Sequence, residues 1–137
     1  MKVSEVMSGD VYVVQRQDSI RVAAQLMRSK DIGSVPVSAD DKLVGMVTDR
    51  DIVVRALAEG LDPSTPVGQI MSEGIKYCFD DEDLRDVARN MSELCVRRLP
   101  VVDRDKKLVG FVSLSNVADA GDTEATETLL EGTATPH

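Results

Sequence analysis

Apolar residues recur along this chain in two interleaved rhythms. Ile20, Ala23, Ala24 and Met27 fall at the i, i+3, i+4, i+7 spacing of one buried helix face, and Leu84, Val87, Ala88 and Met91 do so again. Each helical stretch follows a short apolar run, VYVV at 11–14 and IKYCF at 75–79. Each is followed by two more, SVPV then KLVGMV in the first case, RLPVV then KLVGFV in the second. Short runs rich in β-branched residues and separated by polar turns, here SADD and DRDK, predict strands. Asp18 or Ser19 is placed to cap the first helix, and Asp81 or Asp83 the other. A further helix is expected to begin near Asp49 and another near Ser115. The pattern predicts β-α-β-β-α twice over, an α+β chain.

The two halves also match residue by residue. Offset by 64, Val3, Met7 and Ser8 meet Val67, Met71 and Ser72, and Arg21, Ala24 and Met27 meet Arg85, Ala88 and Met91. Pro36 and Val37 meet Pro100 and Val101, and after one inserted residue Lys42, Leu43, Val44 and Gly45 meet Lys107, Leu108, Val109 and Gly110. The repeats are read as 1–64 and 65–120, with a tail at 121–137. One β-α-β-β-α unit has a thin core, and two packed together bury more apolar surface, which accounts for both lying in one chain.

Composition narrows the picture. Hydrophobic residues make up 42% and aromatic residues 3%, with no tryptophan, so Val, Leu, Ile, Met and Ala must build the core; Met7, Met27, Met71 and Met91 are expected in it. No apolar run approaches the roughly 20 residues of a membrane span, so no membrane partner is expected. The opening MKVSEVMSG lacks the basic and apolar regions of a secretory signal. Cys78 and Cys95 lack CxxC spacing and read as buried or partly buried reduced thiols, which with the missing signal sets the expectation of a cytoplasmic chain. The net charge of −8 divides as −2 over residues 1–64, −1 over 65–118 and −5 over 119–137. The acidity is concentrated in the tail, and no basic stripe suited to nucleic acid is present. The tail is expected either to form one short helix around 123–131 or to stay mobile.

The segments IGSVPV…KLVGMVTDRDIV and VRRLPVV…KLVGFVSLSNVA resemble tandem CBS domains, the pair called a Bateman module, over about residues 1–118. TDRDI and the following ALAEGLDPSTPVGQIMS are similar to small stand-alone bacterial proteins built from this module. The resemblance implies pseudo-twofold packing of the repeats, a disc-like homodimer, and two inter-repeat clefts for adenosine ligands such as AMP, ADP, ATP, S-adenosylmethionine or NAD. Carried over, the first site comprises Thr48, Arg50 and Asp51 facing Tyr77, Cys78, Arg97, Arg98, Leu99 and Pro100. The second, expected to be weaker or empty, comprises Ser113 and Asn116 facing Val13, Val14, Ser34, Val35 and Pro36.

These residue types suit that chemistry. A carboxylate such as Asp51 matches the two neighbouring hydroxyls of a ribose. Thr48 can bond sugar or phosphate, and Gly45 lets backbone or ligand come close. The following helix offers amides to phosphate, with Arg50, Arg97 and Arg98 adding charge. Adenine would lie against apolar side chains and the Leu99–Pro100 backbone. The alternative is that Thr48 or Asp49 simply caps the helix. Asn116 stands in place of the second carboxylate, with one acceptor oxygen and no charge. Gly33 and Ser34 replace Arg97 and Arg98, so the second cleft also has fewer cations. The acidic run DDED at 80–83 reads as solvated helix-capping carboxylates rather than a metal site, and the lone histidine, His137, argues against a His-dependent triad. The expected function is regulatory sensing of an adenine nucleotide, with no catalytic residues, no metal and no obligatory cofactor. The alternative is a ligand-free dimeric interaction or stress-response protein with an unknown protein partner.

Overall fold

The computed structural model describes residues 1–133, so His137 lies outside the described residues. The first repeat contributes β1 (Val14–Gln15), α1 (Ile20–Lys30), β2 (Ser34–Ala39), β3 (Lys42–Thr48) and α2 (Asp49–Asp51), which continues as a π-helix over Ile52–Leu57. The second contributes β4 (Cys78–Phe79), α3 (Leu84–Leu94), β5 (Arg98–Val102), β6 (Leu108–Ser113) and α4 (Leu114–Asp119). A last helix, α5 (Thr123–Thr133), realises the helical option for the tail. Each repeat builds a three-stranded sheet with the same topology, β1-β2-β3 and β4-β5-β6; the first pair in each is parallel and the second antiparallel. The first strands are shorter than VYVV and IKYCF suggest. Only Val14 and Gln15 find parallel backbone partners, in Val37 and Ser38, and only Cys78 and Phe79 find theirs, in Val101 and Val102.

The duplicated caps are resolved in the same way in both copies. Ser19 Oγ accepts from Val22 N at 3.2 Å, and Asp83 Oδ1 accepts from Arg85 N at 2.9 Å. The preceding acids serve the strand instead. Asp18 accepts from Gln15 N at 2.8 Å and Glu82 from Phe79 N at 2.7 Å. Both helices end on a left-handed residue, Asp31 at φ 53° and Cys95 at φ 58°.

The chain groups into two compact units: Tyr12–Ile75, and Met1–Val11 together with the chain from Lys76 onward. The lead segment of each repeat therefore belongs with the sheet of the other. In the first unit, the segment after the 3₁₀ turn Val67–Gln69 pairs with β3, Met46 and Ser72 exchanging backbone bonds of 3.0 and 2.9 Å. In the second, Ser8 and Phe111 do the same at 2.8 and 2.9 Å. Val67 and Val3 are fully buried on these segments. The close approach requires glycine. A Cβ at Gly45 would lie 2.7 Å from Met71 Sδ and 2.8 Å from Ser72 O, and one at Gly110 2.5 Å from Ser8 O. Gly45 thus admits backbone, as its missing side chain allows.

The helix faces differ in one respect from expectation. Ile20, Ala23 and Met27 are buried, but Ala24 is exposed. Its counterpart Ala88 is fully buried, because α5 lies on α3 and inserts Ala125 and Leu129 into the core with Leu84, Val87 and Met91. Met27, Met71 and Met91 are buried and Met7 is half-buried. Asp122 caps α5 through Ala125 N at 3.1 Å and pairs with Arg85 Nε at 3.0 Å, while Glu124 takes Arg85 Nη1 at 3.1 Å. Among the described residues, no helix is long and apolar enough to cross a membrane.

Replacing Gly45 or Gly110 by alanine should destabilise the fold by about 1–3 kcal/mol, the usual cost of overpacking, as measured by urea unfolding. The backbone amide of Ala125, and then Arg85, hold the Asp122 carboxyl below its ordinary value of 3.8. A depressed carboxylate contributes stability that is complete above the unfolded value and is lost as pH falls through the folded one. The protection of α5 amides against exchange, relative to their intrinsic rates, should therefore fall as pH drops below 3.8, and this dependence should weaken in Asp122→Asn, which keeps a capping side chain.

Candidate functional site

Thr48 ends β3 in extended backbone (φ −114°, ψ 162°), and the chain turns into α2 at once. That geometry closes a reciprocal capping box. Thr48 Oγ1 accepts from Asp51 N at 3.0 Å, and Asp51 Oδ2 accepts from Thr48 N at 2.9 Å. The capping alternative is thus realised, with Thr48 as the cap rather than Asp49. Asp49 instead accepts from Arg50 N at 2.8 Å, and its own N–H donates to Gly33 O at 2.9 Å. The amides of residues 49, 50 and 51 are therefore all engaged, so the expected amide cradle for phosphate at this helix start is not open.

Asp51 nevertheless keeps one oxygen outside the box. Oδ1 has only Arg55 Nη1 near it among the described residues, at a loose 3.8 Å, and the side chain is 15% exposed. The arrangement leaves a half-buried anionic acceptor whose partner oxygen is held rigidly by backbone. Arg50 is exposed beside it and lines a shallow cavity of about 310 Å³ with Asp49, Val53 and Val54. Ser34 stands opposite Thr48 in the β2–β3 register, so one strand end carries a residue from each predicted set.

The second repeat builds the same box with a different outer atom. Ser113 Oγ accepts from Asn116 N at 3.2 Å, and Asn116 Oδ1 accepts from Ser113 N and from Ser113 Oγ, both at 3.0 Å. The amide oxygen is fully engaged, so Asn116 has only its Nδ2 donor left to offer. It lines a cavity of about 510 Å³ with Glu5, Val6, Asp119 and Ala120. The pair Asp51 and Asn116 thus differs in the kind of hydrogen bond offered as well as in charge: one accepts, the other donates.

The remaining predicted residues are divided between the two units. Val13, Val14, Ser34, Val35 and Pro36 lie with Thr48, Arg50 and Asp51, while Tyr77, Cys78, Arg97, Arg98, Leu99 and Pro100 lie with Ser113 and Asn116. Val14, Val35, Cys78 and Leu99 have buried side chains, so backbone is the main surface they can present. Cys78 Sγ donates weakly to Pro100 O at 3.9 Å, and burial, with Glu82 and Asp80 nearby, pushes the thiol up to about 12. It is a neutral packing group. Arg98 stacks on Phe111, its guanidinium 4.2 Å from the ring centroid, and pairs with Ser113 in the β5–β6 register. Arg97 is exposed and its carbonyl accepts from Leu114 N at 2.9 Å. Tyr77 meets Phe79 edge-on at 5.7 Å with Lys106 Nζ 5.4 Å from its ring centroid. This aromatic and cationic cluster, completed by Arg104 over Phe79 and paired bidentately with Asp81, had no signal in local periodicity.

The CBS domain profile matches residues 3–57 and 67–122. Hypoxic response protein 1 of Mycobacterium tuberculosis is 39% identical over 116 residues, covering 83% of this chain and 80% of that protein. Among solved structures, CBSX2 in complex with AMP superposes with a TM-score of 0.73 at 31% identity, over 88% of this chain and 95% of that one. The CBS domain pair of protein MJ0100, in complex with 5′-methylthioadenosine and S-adenosyl-L-methionine, does so with a TM-score of 0.70 at 27% identity, over 88% and 95%.

The box separates capping from chemistry by mutation. Thr48→Ala removes the cap and should cost about 1 kcal/mol in urea unfolding. Asp51→Asn retains an acceptor for Thr48 N, as Asn116 does for Ser113, and should stay within about 0.5 kcal/mol of the parent.

Proposed function

The chain belongs to the CBS domain family, and from that premise we propose that it is a regulatory module binding an adenine nucleotide of the AMP, ADP or ATP class. The observation that carries the reading is Oδ1 of Asp51, a half-buried acceptor held only by a loose 3.8 Å ion pair to Arg55 while its partner oxygen is fixed by backbone. A carboxylate held in this way is preorganised to receive a ribose hydroxyl, and a hydrogen bond to a charged group is worth about 1.5–3 kcal/mol. The AMP complex of CBSX2 supports the ligand class. In this reading Thr48 positions Asp51, Arg50 supplies charge to phosphate, and the residues from Tyr77 to Pro100 named above contribute as the family resemblance implies. The Ser113–Asn116 end, with only a donor to offer a diol, is the weaker site. CBS pairs are generally regulatory and non-catalytic, and the reading assigns no catalytic residue. It includes a homodimer in the cytoplasm and no obligatory cofactor.

A nucleotide can act as a signal only by binding two states of the protein or its assembly unequally. The second reading, a ligand-free interaction protein, is favoured by the closure of the Thr48–Asp51 box on itself.

A thermal-shift panel of AMP, ADP, ATP, NAD and S-adenosylmethionine separates the two. Ligand at 100 times its dissociation constant should stabilise the parent by about 2.7 kcal/mol. Asp51→Asn should lose most of that shift while unfolding normally without ligand, and Asn116→Asp should gain affinity. No shift with any of the five favours the ligand-free reading, and equal shifts in parent and Asp51→Asn remove that carboxylate from the site.

A further inference from the structure

Beside the outer oxygen of Asp51 stands a guanidinium that also serves a second acceptor. Arg55 Nη1 lies 3.8 Å from Asp51 Oδ1 and 3.5 Å from the carbonyl oxygen of Met71. Both separations exceed the roughly 2.7–3.2 Å of a well-made N–H···O bond. One nitrogen is thus held between two acceptors and committed to neither. A pair this loose, with Arg55 exposed, adds little to stability. Its two partners differ in kind. One is the acceptor offered to a ribose hydroxyl. The other belongs to a lead segment: the Met71 sulfur sits over Gly45, 2.7 Å from where a Cβ would be, and the next residue, Ser72, makes the backbone bridge to Met46.

The second copy lacks this arrangement. Beyond the inserted turn residue the repeats run 65 apart, which sets Asp51 against Asn116 and Arg55 against Ala120. Where the carboxylate is missing, so is the guanidinium, although Gly110, Met7 and the Ser8–Phe111 bridge are kept. Two positions one helical turn apart thus change together, while the cap and the bridge around them do not. The helix backbone changes with them. Ile52–Leu57, which carries Arg55, is a π-helix, a form frequent at functional sites, whereas α4 is α-helical.

We propose that Arg55 is a positioning residue that couples the Asp51 acceptor to the seat of the lead segment. The trigger rests on the nucleotide reading above; the coupling itself does not. Without a ligand, the Asp51 carboxylate draws the guanidinium toward itself and away from Met71. A ribose hydroxyl donating to Oδ1 competes with Arg55 for that oxygen. The guanidinium then closes on the Met71 carbonyl to full hydrogen-bond distance, and the segment that holds Ser72 against Met46 is secured. Binding at a strand end is in this way read by a segment 20 residues further along the chain. By reciprocity, whatever tightens the Met46–Ser72 bridge favours the ligand. The Asn116 end, with Ala120 in place of the arginine, has no such route.

Amide hydrogen exchange of Met46 and Ser72, followed by NMR on the full-length chain without ligand, tests the coupling by itself. Asp51→Asn removes the charge that draws Arg55 away and keeps the box. It should raise the protection of both amides, relative to the rest of the β2–β3 ladder, by about two- to threefold. In the Arg55→Met background the same substitution should change nothing. A general change in stability would move the whole ladder together. AMP at saturating concentration should reproduce the relative rise in the parent and leave Met46 and Ser72 of Arg55→Met unmoved. The proposal is overturned if the Asp51→Asn effect is absent, persists in Arg55→Met, or spreads evenly over β2 and β3. It is equally overturned if AMP binds the parent without protecting the two amides. If AMP does not bind while the Asp51→Asn effect is seen, the nucleotide reading falls and the coupling stands.

Discussion

Two points where backbone touches backbone hold this architecture together. At Gly45 and Gly110 a strand interior carries no side chain, and a passing segment closes to hydrogen-bonding distance across the gap. Each contact seats a lead segment whose valine, Val67 or Val3, is fully buried. A three-stranded sheet backed by one long helix would otherwise leave its apolar face half-covered, and small cores are marginal for that reason. A methyl group at either glycine sets core packing against the bridge.

The same duplication explains the chemistry at the two strand ends. Thr48–Asp51 and Ser113–Asn116 are one local structure written twice, because a hydroxyl at the cap and an acceptor three residues later close the same ring of bonds. The box makes no demand on the atom facing outward. One copy presents a carboxylate oxygen there and the other an amide nitrogen. A chemical difference can accumulate at that atom without disturbing the box, so a duplicated local structure can end in two unlike polar groups.

Much of this was legible from the residues themselves. The spacing of Leu84, Val87, Ala88 and Met91, the polar turns and the 64-residue offset are local signals, and the helices and sheets follow them. What escaped were matters of cover and partnership. Ala24 and Ala88 occupy identical local patterns, yet one is exposed and the other buried, because only α3 has α5 upon it. Periodicity reports which face is apolar and cannot report what lies over it. The amides of residues 49 to 51 looked open to phosphate, and their engagement with Gly33, Asp49 and Thr48 depends on one strand end and one rotamer each. Gly45 signalled close approach correctly, but its neighbour, the backbone of Ser72, arrives from 27 residues further along.

The exchange of lead segments also imposes an order on biogenesis. Tyr12–Ile75 is contiguous, so every strand and helix of that unit has been synthesised before β4 is translated. The other unit is discontinuous: Met1–Val11 is made before the whole of Tyr12–Ile75 and must await Phe111, about a hundred residues later, before Ser8 can find its bridge. Loop-closure entropy rises only about 0.6 kcal/mol per doubling of length, so the delay costs little in equilibrium stability. Its weight falls on kinetics, since contacts between distant residues form slowly and leave apolar surface open to mispairing in the interval. During that interval Val3 and Met7 stay uncovered, and Met1–Val11 is a stretch that a chaperone would shield.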